Sequence, residues 1–268
     1  MAKVIAICNQ KGGVGKTTTA INLSVYLSLS GKRVLLLDID PQGNATSGLG
    51  INKHDIKTSI YDLVIDEIDP LGVTIKTNIN NLWLIPSTIS LTGAEVELVG
   101  IMGREYRLKK ALSPILTEYD FIIIDCPPSL GLLTVNALTA ASSVLIPIQC
   151  EYYALEGLSQ LVNTINLVRE NLNSNLAIEG VLLTMADFRT NLTNEVIKEV
   201  RNFLKDKVYE TIIPRNIRLT EAPGFGKPIA IYDKNSIGAQ KYQDFVNELL
   251  GYKKETEEML NANKQSLG

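Results

Sequence analysis

Lys3-Val4-Ile5-Ala6-Ile7-Cys8-Asn9-Gln10-Lys11-Gly12-Gly13-Val14-Gly15-Lys16-Thr17-Thr18 is the stretch that decides how the rest of the chain is read. A short strand pattern, Lys3–Ile7, runs into a glycine-rich turn, and a helical pattern follows over Thr18–Ser30. Such a turn points backbone N–H groups inward, and the helix N-terminus adds the positive end of its dipole, so the place suits a polyphosphate. Gly12, Gly13 and Gly15 let the backbone approach closely. Lys16 is expected to reach the β- and γ-phosphates, and the Thr17 hydroxyl to ligate Mg²⁺. The flanking strand and helix separate this loop from a chance cluster of glycines. The usual first glycine of the motif is replaced by Gln10, and an extra lysine, Lys11, stands beside the loop. Spacing alone leaves two roles open for Lys11: a solvated loop lysine, or a cation that neutralises phosphate charge in a partner subunit's site.

Outward from this loop, short apolar runs alternate with helical patterns. Strands are predicted over Arg33–Leu37, Phe121–Ile124, Val144–Ile148, Ile178–Thr184 and Val208–Ile213. Helices are predicted over Leu155–Asn171, Thr193–Lys205 and Ile237–Leu250. Continuous apolar strands separated by helices imply an α/β fold with a mostly parallel β-sheet flanked by helices on both faces. Ile51–Pro86 is less regular and reads as short helices with one or two peripheral strands. Residues 1–250 read as a single domain, and Tyr252–Gly268 as a polar tail, frayed or disordered.

Three aspartates end apolar runs or closely follow one: Asp38, Asp40 and Asp125. In an open parallel sheet, ligands lie beyond the carboxyl ends of the strands. Asp125 therefore reads as the magnesium-linked acid. Asp38 and Asp40 stand two apart on a nearly extended segment and point opposite ways unless the chain turns. Asp38 is assigned to the magnesium shell and Asp40 to the attacking water.

The 268 residues are 45% hydrophobic and 21% charged, which supports a large core, and the net charge of −3 supplies no global field for nucleic acid. Cys8, Cys126 and Cys150 are widely spaced, without a C-x-x-C pair, so reduced thiols fit better than a disulfide framework or zinc site. Cys126, between Asp125 and Pro127, reads as a packed small side chain. A strand pattern right after Met1 leaves no room for a signal peptide, and no apolar run approaches the ~18 residues of a membrane span. His54, the one histidine, reads as exposed and Trp83 as core.

In combination, Lys11–Thr18, Asp38–Thr46, Asp125–Leu132 and Ile146–Gly157 resemble the ParA/Soj chromosome-partitioning ATPases, from Met1 to about Leu250. These belong to the deviant Walker A group of P-loop NTPases, which also includes MinD. The resemblance implies an ATPase, slow and partner-stimulated, with ATP and Mg²⁺ as ligands and Lys11, Lys16 and Asp40 as its catalytic groups. ATP would close a homodimer in which each Lys11 reaches the other subunit's phosphates. The dimer would bind DNA without sequence preference and serve chromosome or plasmid segregation. A ParB-type centromere-binding partner would stimulate hydrolysis through a short basic N-terminal segment. The protein is then expected in the cytoplasm, on the nucleoid.

The loop residues Lys11, Gly12, Gly13, Val14, Gly15, Lys16, Thr17 and Thr18 carry the nucleotide in this reading. The base would sit against Pro214-Arg215-Asn216, with Met185 on its other side. Arg189 and Arg218 match the family's DNA-contacting arginines. Lys198, Arg201 and Lys205, three and four apart, would share one helix face beside them. Taken without the resemblance, that face is as well explained by ordinary solvation. Tyr152 and Tyr153 fall in a segment the family keeps near the nucleotide, although packing accounts for them equally.

The runner-up is a MinD-like positioning ATPase, but Tyr252–Gly268 mixes lysines with glutamates and has few apolar groups. It does not form a basic amphipathic anchor, so no membrane is expected. An iron–sulfur role is disfavoured because Cys126 and Cys150 lack the Cys-Gly-Gly context. The resemblance implies adenine rather than guanine as the base.

Overall fold

The structure, a computed structural model, describes residues 1–151 and 154–252, with the side chains of 154–156 aside. Tyr152, Tyr153 and the tail from Lys253 onward, for which sequence expectations are given above, lie outside the described residues.

Eight strands form one sheet: β1 (Lys3–Ile7), β2 (Val34–Asp38), β3 (Ile75–Lys76), β4 (Leu82–Ile85), β5 (Phe121–Asp125), β6 (Ser143–Gln149), β7 (Ala177–Ala186) and β8 (Val208–Pro214). Their order is β3-β4-β2-β5-β1-β6-β7-β8. Every pairing is parallel except that of the two-residue edge strand β3 with β4. The first strand thus lies in the middle, with β5 on one side and β6 on the other. This reversal of winding opens the crevice in which open α/β sheets bind ligands.

Alternation along the strands builds two cores. Val4, Ala6, Leu35, Leu37, Ile122 and Ile124 face one way; Ile5, Ile7, Val34, Leu36, Phe121 and Ile123 face the other. The second face is covered by α1 (Lys16–Leu29), α2 (Asn44–Gly48) and the helix Ile237–Leu249. The first is covered by α3 (Leu132–Ala140), α4 (Ala154–Asn171) and α5 (Asn191–Leu204), with the short helices Leu91–Val99 and Arg107–Leu112. Because both faces are covered, the central strands carry uninterrupted apolar residues.

Several expectations shift. The first helix begins at Lys16 rather than Thr18, with Gly15 as its N-cap. Its buried surface runs nearly all round from Thr19 to Ser28, while Leu29 is exposed. Ser24 and Ser28 survive burial by donating to the Ala20 and Val25 carbonyls, and Thr19 by sharing a hydrogen bond with the Tyr242 hydroxyl. Lys205 is not on the α5 face: the helix ends at Leu204, and Lys205 takes φ 48°, which turns the chain away. Trp83 is half-buried rather than core, packed edge-on against Tyr119. The helices over Leu91–Val99, Arg107–Leu112 and Leu132–Ala140 were not anticipated. The last of these carries Thr134, Asn136 and Thr139 on buried positions, which masks its apolar stripe.

One backbone contact ties distant segments together. Gly50 (φ +80°) and Gly226 (φ +60°) meet so closely that a Cβ on Gly226 would lie 2.8 Å from the Gly50 Cα. We expect Gly226→Ala to cost at least about 2 kcal/mol, combining left-handed strain with the clash. Gly103→Ala has the same backbone sign but open space around it and should cost only about 1 kcal/mol. Urea unfolding midpoints of the two variants would test this; equal losses would mean that the contact is soft.

Candidate functional site

The β1–α1 turn wraps the mouth of a cavity of about 530 Å³ at the carboxyl ends of the strands. Gly13 and Gly15 adopt left-handed conformations (φ 74° and 87°), which coil the turn tightly enough to aim successive N–H groups inward. Gly12, Gly13, Gly15, Lys16, Thr17 and Thr18 line the cavity. Val14 does not; it is buried beneath the turn, and its carbonyl accepts a 2.9 Å hydrogen bond from the Thr184 hydroxyl.

Lys16 is buried, and its Nζ donates to the Lys11 carbonyl at 3.0 Å, folding back across the turn. Burial lowers its pKa, while Asp125, the two nearby thiols of Cys126 and Cys8, and Asp40 act in the opposite direction. Asp125, at the end of β5, is fully buried, and neither carboxylate oxygen has a hydrogen-bond partner among the described residues. Burial and then the neighbouring Asp38 push its pKa well up. The Thr17 hydroxyl and Lys16 ammonium lie close enough to oppose that shift, although Thr17 does not meet hydrogen-bond geometry. A buried carboxylate without donors is costly to keep charged, and a divalent cation is the natural compensation. The orphaned Asp125, the adjacent Thr17 hydroxyl and the glycine turn therefore fit a magnesium–nucleotide ligand.

The two other aspartates divide differently from the expectation. Asp38 is fully buried and is employed as a pin rather than turned to the cavity. Its Oδ2 accepts from the Thr46 N–H and hydroxyl, both at 2.8 Å, and its Oδ1 from the Asp40 N–H at 3.2 Å. Burial still raises its pKa to about 6, with those bonds pulling down. The chain turns sharply after β2, the alternative the spacing of Asp38 and Asp40 leaves open. Thr46 in turn accepts from the Ser87 N–H, so the pin reaches the end of β4. Asp40 lines the cavity, one oxygen held by the Gln42 N–H at 2.9 Å.

Lys11 turns away from the chain's own phosphate site. Its Nζ pairs with Glu151 Oε2 at 2.9 Å, and Gln149 donates to the other Glu151 oxygen. The neighbouring Gln10 amide, standing where the usual motif has glycine, reaches Gln160 and the Gly157 carbonyl on α4. Both departures from the usual motif thus contact one segment.

The far wall of the cavity is formed by Met185, Pro214, Arg215 and Asn216. Met185 is held at φ 51°, an uncommon conformation for such a residue, and it sits where β7 ends. Asn216 also caps α6 (Ile217–Glu221), accepting from the Leu219 N–H. The Arg215 N–H bonds the Ala186 carbonyl, which brings the loop bearing Arg189 beside that bearing Arg218. Arg189 forks onto Asp187 at 2.7 and 2.6 Å, drawing that carboxyl down to about 2. Arg218 pairs with Glu221 at 3.0 Å and Asp233 at 3.5 Å. Lys198 and Arg201 are exposed on α5, interleaved with the exposed Glu195 and Glu199, and Lys205 is exposed beyond its end. Thr46 and Glu151 fall within the motifs quoted above without an assigned role, and Thr184 and Tyr242 carry no sequence signal; the contacts of all four emerge only in the fold.

The chain matches the family model described as an AAA domain over residues 2–178. It is 61% identical to the sporulation initiation inhibitor protein Soj of Bacillus subtilis over 249 residues, covering 93% of this chain and 98% of that one. It is 55% identical to the chromosome partitioning protein ParA of Myxococcus xanthus, covering 93% and 88%. Among solved structures, cobyrinic acid a,c-diamide synthase from Mycobacterium smegmatis with bound ADP and magnesium superposes with TM-score 0.82 at 38% identity, covering 93% and 94%.

The pin makes a direct prediction. Thr46→Val removes one donor from a buried carboxylate and should lower stability by about 1.5–3 kcal/mol, while Thr46→Ser restores most of it. Denaturant titrations of the three proteins test this; a neutral Thr46→Val would release Asp38 from the structural role.

Proposed function

This chain belongs to the ParA/Soj family of chromosome-partitioning ATPases, and from that premise we propose an ATP-driven switch that dimerises, grips DNA and lets go on hydrolysis. The observation that carries this reading is the buried, unpartnered Asp125 carboxylate beneath Lys16 and Thr17 at the base of the glycine turn. It supports a site completed by a nucleotide and a divalent cation, the ligands named for the Mycobacterium smegmatis structure.

Residues 12–18 receive the triphosphate through their N–H groups and the α1 dipole. Lys16 exchanges the Lys11 carbonyl for phosphate oxygens. Thr17 and Asp125 would hold Mg²⁺, which when bound would neutralise phosphate charge. The adenine lies between Met185 and the Pro214–Asn216 loop. Asp40, with one oxygen tethered to Gln42, uses the other to orient the attacking water. Lys11 is poor at serving its own site while paired with Glu151, which favours a role in a second subunit's site. Neutralising a partner's phosphates then links ATP occupancy to dimerisation.

Arg189 and Arg218 are each already paired with a carboxylate of the same chain, which weakens the phosphate contacts these two arginines can offer from a single subunit. Two subunits side by side double the surface, which makes dimerisation the step that licenses DNA. Contacts of this kind are salt-sensitive and sequence-independent. A ParB-type protein is the proposed stimulator of hydrolysis, and the cargo a chromosome or plasmid, with the nucleoid as location. No helix among the described residues is long and apolar enough to cross a membrane.

Sedimentation of two variants with ATP tests the switch. Lys11→Ala should stay monomeric while still binding ADP, and Asp40→Ala should accumulate as an ATP dimer with turnover reduced about tenfold or more. A normal ATP dimer of Lys11→Ala would remove the trans role. Arg218→Glu should weaken duplex binding at least about tenfold without altering dimerisation; full affinity would move the DNA surface elsewhere.

A further inference from the structure

Two buried thiols meet at the root of the phosphate loop. Cys8 follows β1 and Cys126 follows β5, one rung beyond the registered pair Ile7 and Asp125. The Cys8 thiol donates to the Cys126 sulfur at 3.1 Å, and both side chains are about 1% exposed. Neighbouring strands lie about 4.8 Å apart, within the Cα separation of about 4.4–6.8 Å that a disulfide spans. The sulfurs need approach by only about 1 Å to reach bonding distance. Neither thiol is used by the chemistry proposed above.

We propose that Cys8 and Cys126 form an oxidative modification site, at which a small peroxide makes a disulfide that halts ATP hydrolysis. One sulfur attacks a peroxide oxygen, the O–O bond breaks, and water leaves once its proton is supplied, giving a sulfenic acid. The second sulfur displaces the sulfenic hydroxyl as water, forming the S–S bond. The two sulfurs together lose two electrons and the peroxide becomes two waters.

The consequence follows from what the cysteines adjoin. Cys8 precedes Asn9, whose side chain holds the Pro147 carbonyl and the Lys11 N–H. Cys126 directly follows Asp125. A bond between them draws the start of the phosphate loop toward the base of the carboxylate. A displacement of about 1 Å in such a site costs up to about a hundredfold in rate. Buried thiols react slowly, and because Cys126 directly follows Asp125 at the root of the phosphate loop, a seated nucleotide should retard oxidation.

The test treats the full chain with hydrogen peroxide, with and without ATP, and follows thiol loss by peptide mass mapping. The expected result is a Cys8–Cys126 cross-linked peptide lacking both thiol hydrogens, formed more slowly with ATP. ATP hydrolysis should fall about tenfold or more and return with dithiothreitol. Cys8→Ala should keep its untreated activity and retain it after peroxide. Sulfinic or sulfonic acids without a cross-link, a cross-linked protein with full activity, or equal inactivation of Cys8→Ala would each overturn the proposal. Should Cys8→Ala fail to fold, mapping and dithiothreitol reversal in the natural chain decide it.

Discussion

A carboxylate buried without hydrogen-bond donors is the constraint on which this molecule turns. Asp125 sits at the end of a central strand, its charge opposed by burial and by the neighbouring Asp38 and Asp40. Lys16 shares the pocket, also buried, its ammonium held by the Lys11 carbonyl and favoured by the Asp125 charge. That support only partly offsets burial, and a polyphosphate with its cation would match both groups at once. Structures with a buried charge of this kind are ordinarily strained toward a ligand. The surrounding packing can hold such a site because the sheet is covered on both faces and its end points are fixed by parallel register.

Around this centre, the parts that respond to a nucleotide are held by polar pins and not by bulk packing. Asp38 holds Thr46 and the turn that presents Asp40. Asn22 donates to the Thr18 carbonyl and accepts from the Ile229 N–H, linking the phosphate-loop helix to the segment beyond Arg218. Gly50 and Gly226 press the loop after α2 onto that same segment. Three of the basic groups given outward roles are neutralised by a nearby carboxylate: Lys11 by Glu151, Arg189 by Asp187, Arg218 by Glu221 and Asp233. Exposed pairs of this sort are worth at most about 1 kcal/mol, so they bias a resting arrangement without locking it.

Much of this was legible in the sequence, for identifiable reasons. The glycine turn between a strand and a helix has a local signature, and the parallel sheet follows from uninterrupted apolar strands such as Phe121–Asp125. Asp125 and Asp40 could be placed because strand ends converge on the ligand crevice. The Asp38 contacts are less legible: they depend on a turn that brings Thr46, eight residues on, back to the carboxylate, which spacing alone does not show. The helix Leu132–Ala140 escaped because polar residues on its buried positions satisfy themselves internally, as Thr139 does on the Val135 carbonyl. The Cys8–Cys126 contact joins residues 118 apart and has no trace in either local pattern.

The central claim is that nucleotide state governs the grip on DNA, and the most direct measurement is equilibrium binding to a non-specific duplex. It should be made with ATP, with ADP and with no nucleotide, at a low and a high salt concentration. The account predicts tight binding with ATP alone, weakening steeply as salt rises. Equal binding in all three states, or none in any while ATP still drives dimerisation, would contradict it.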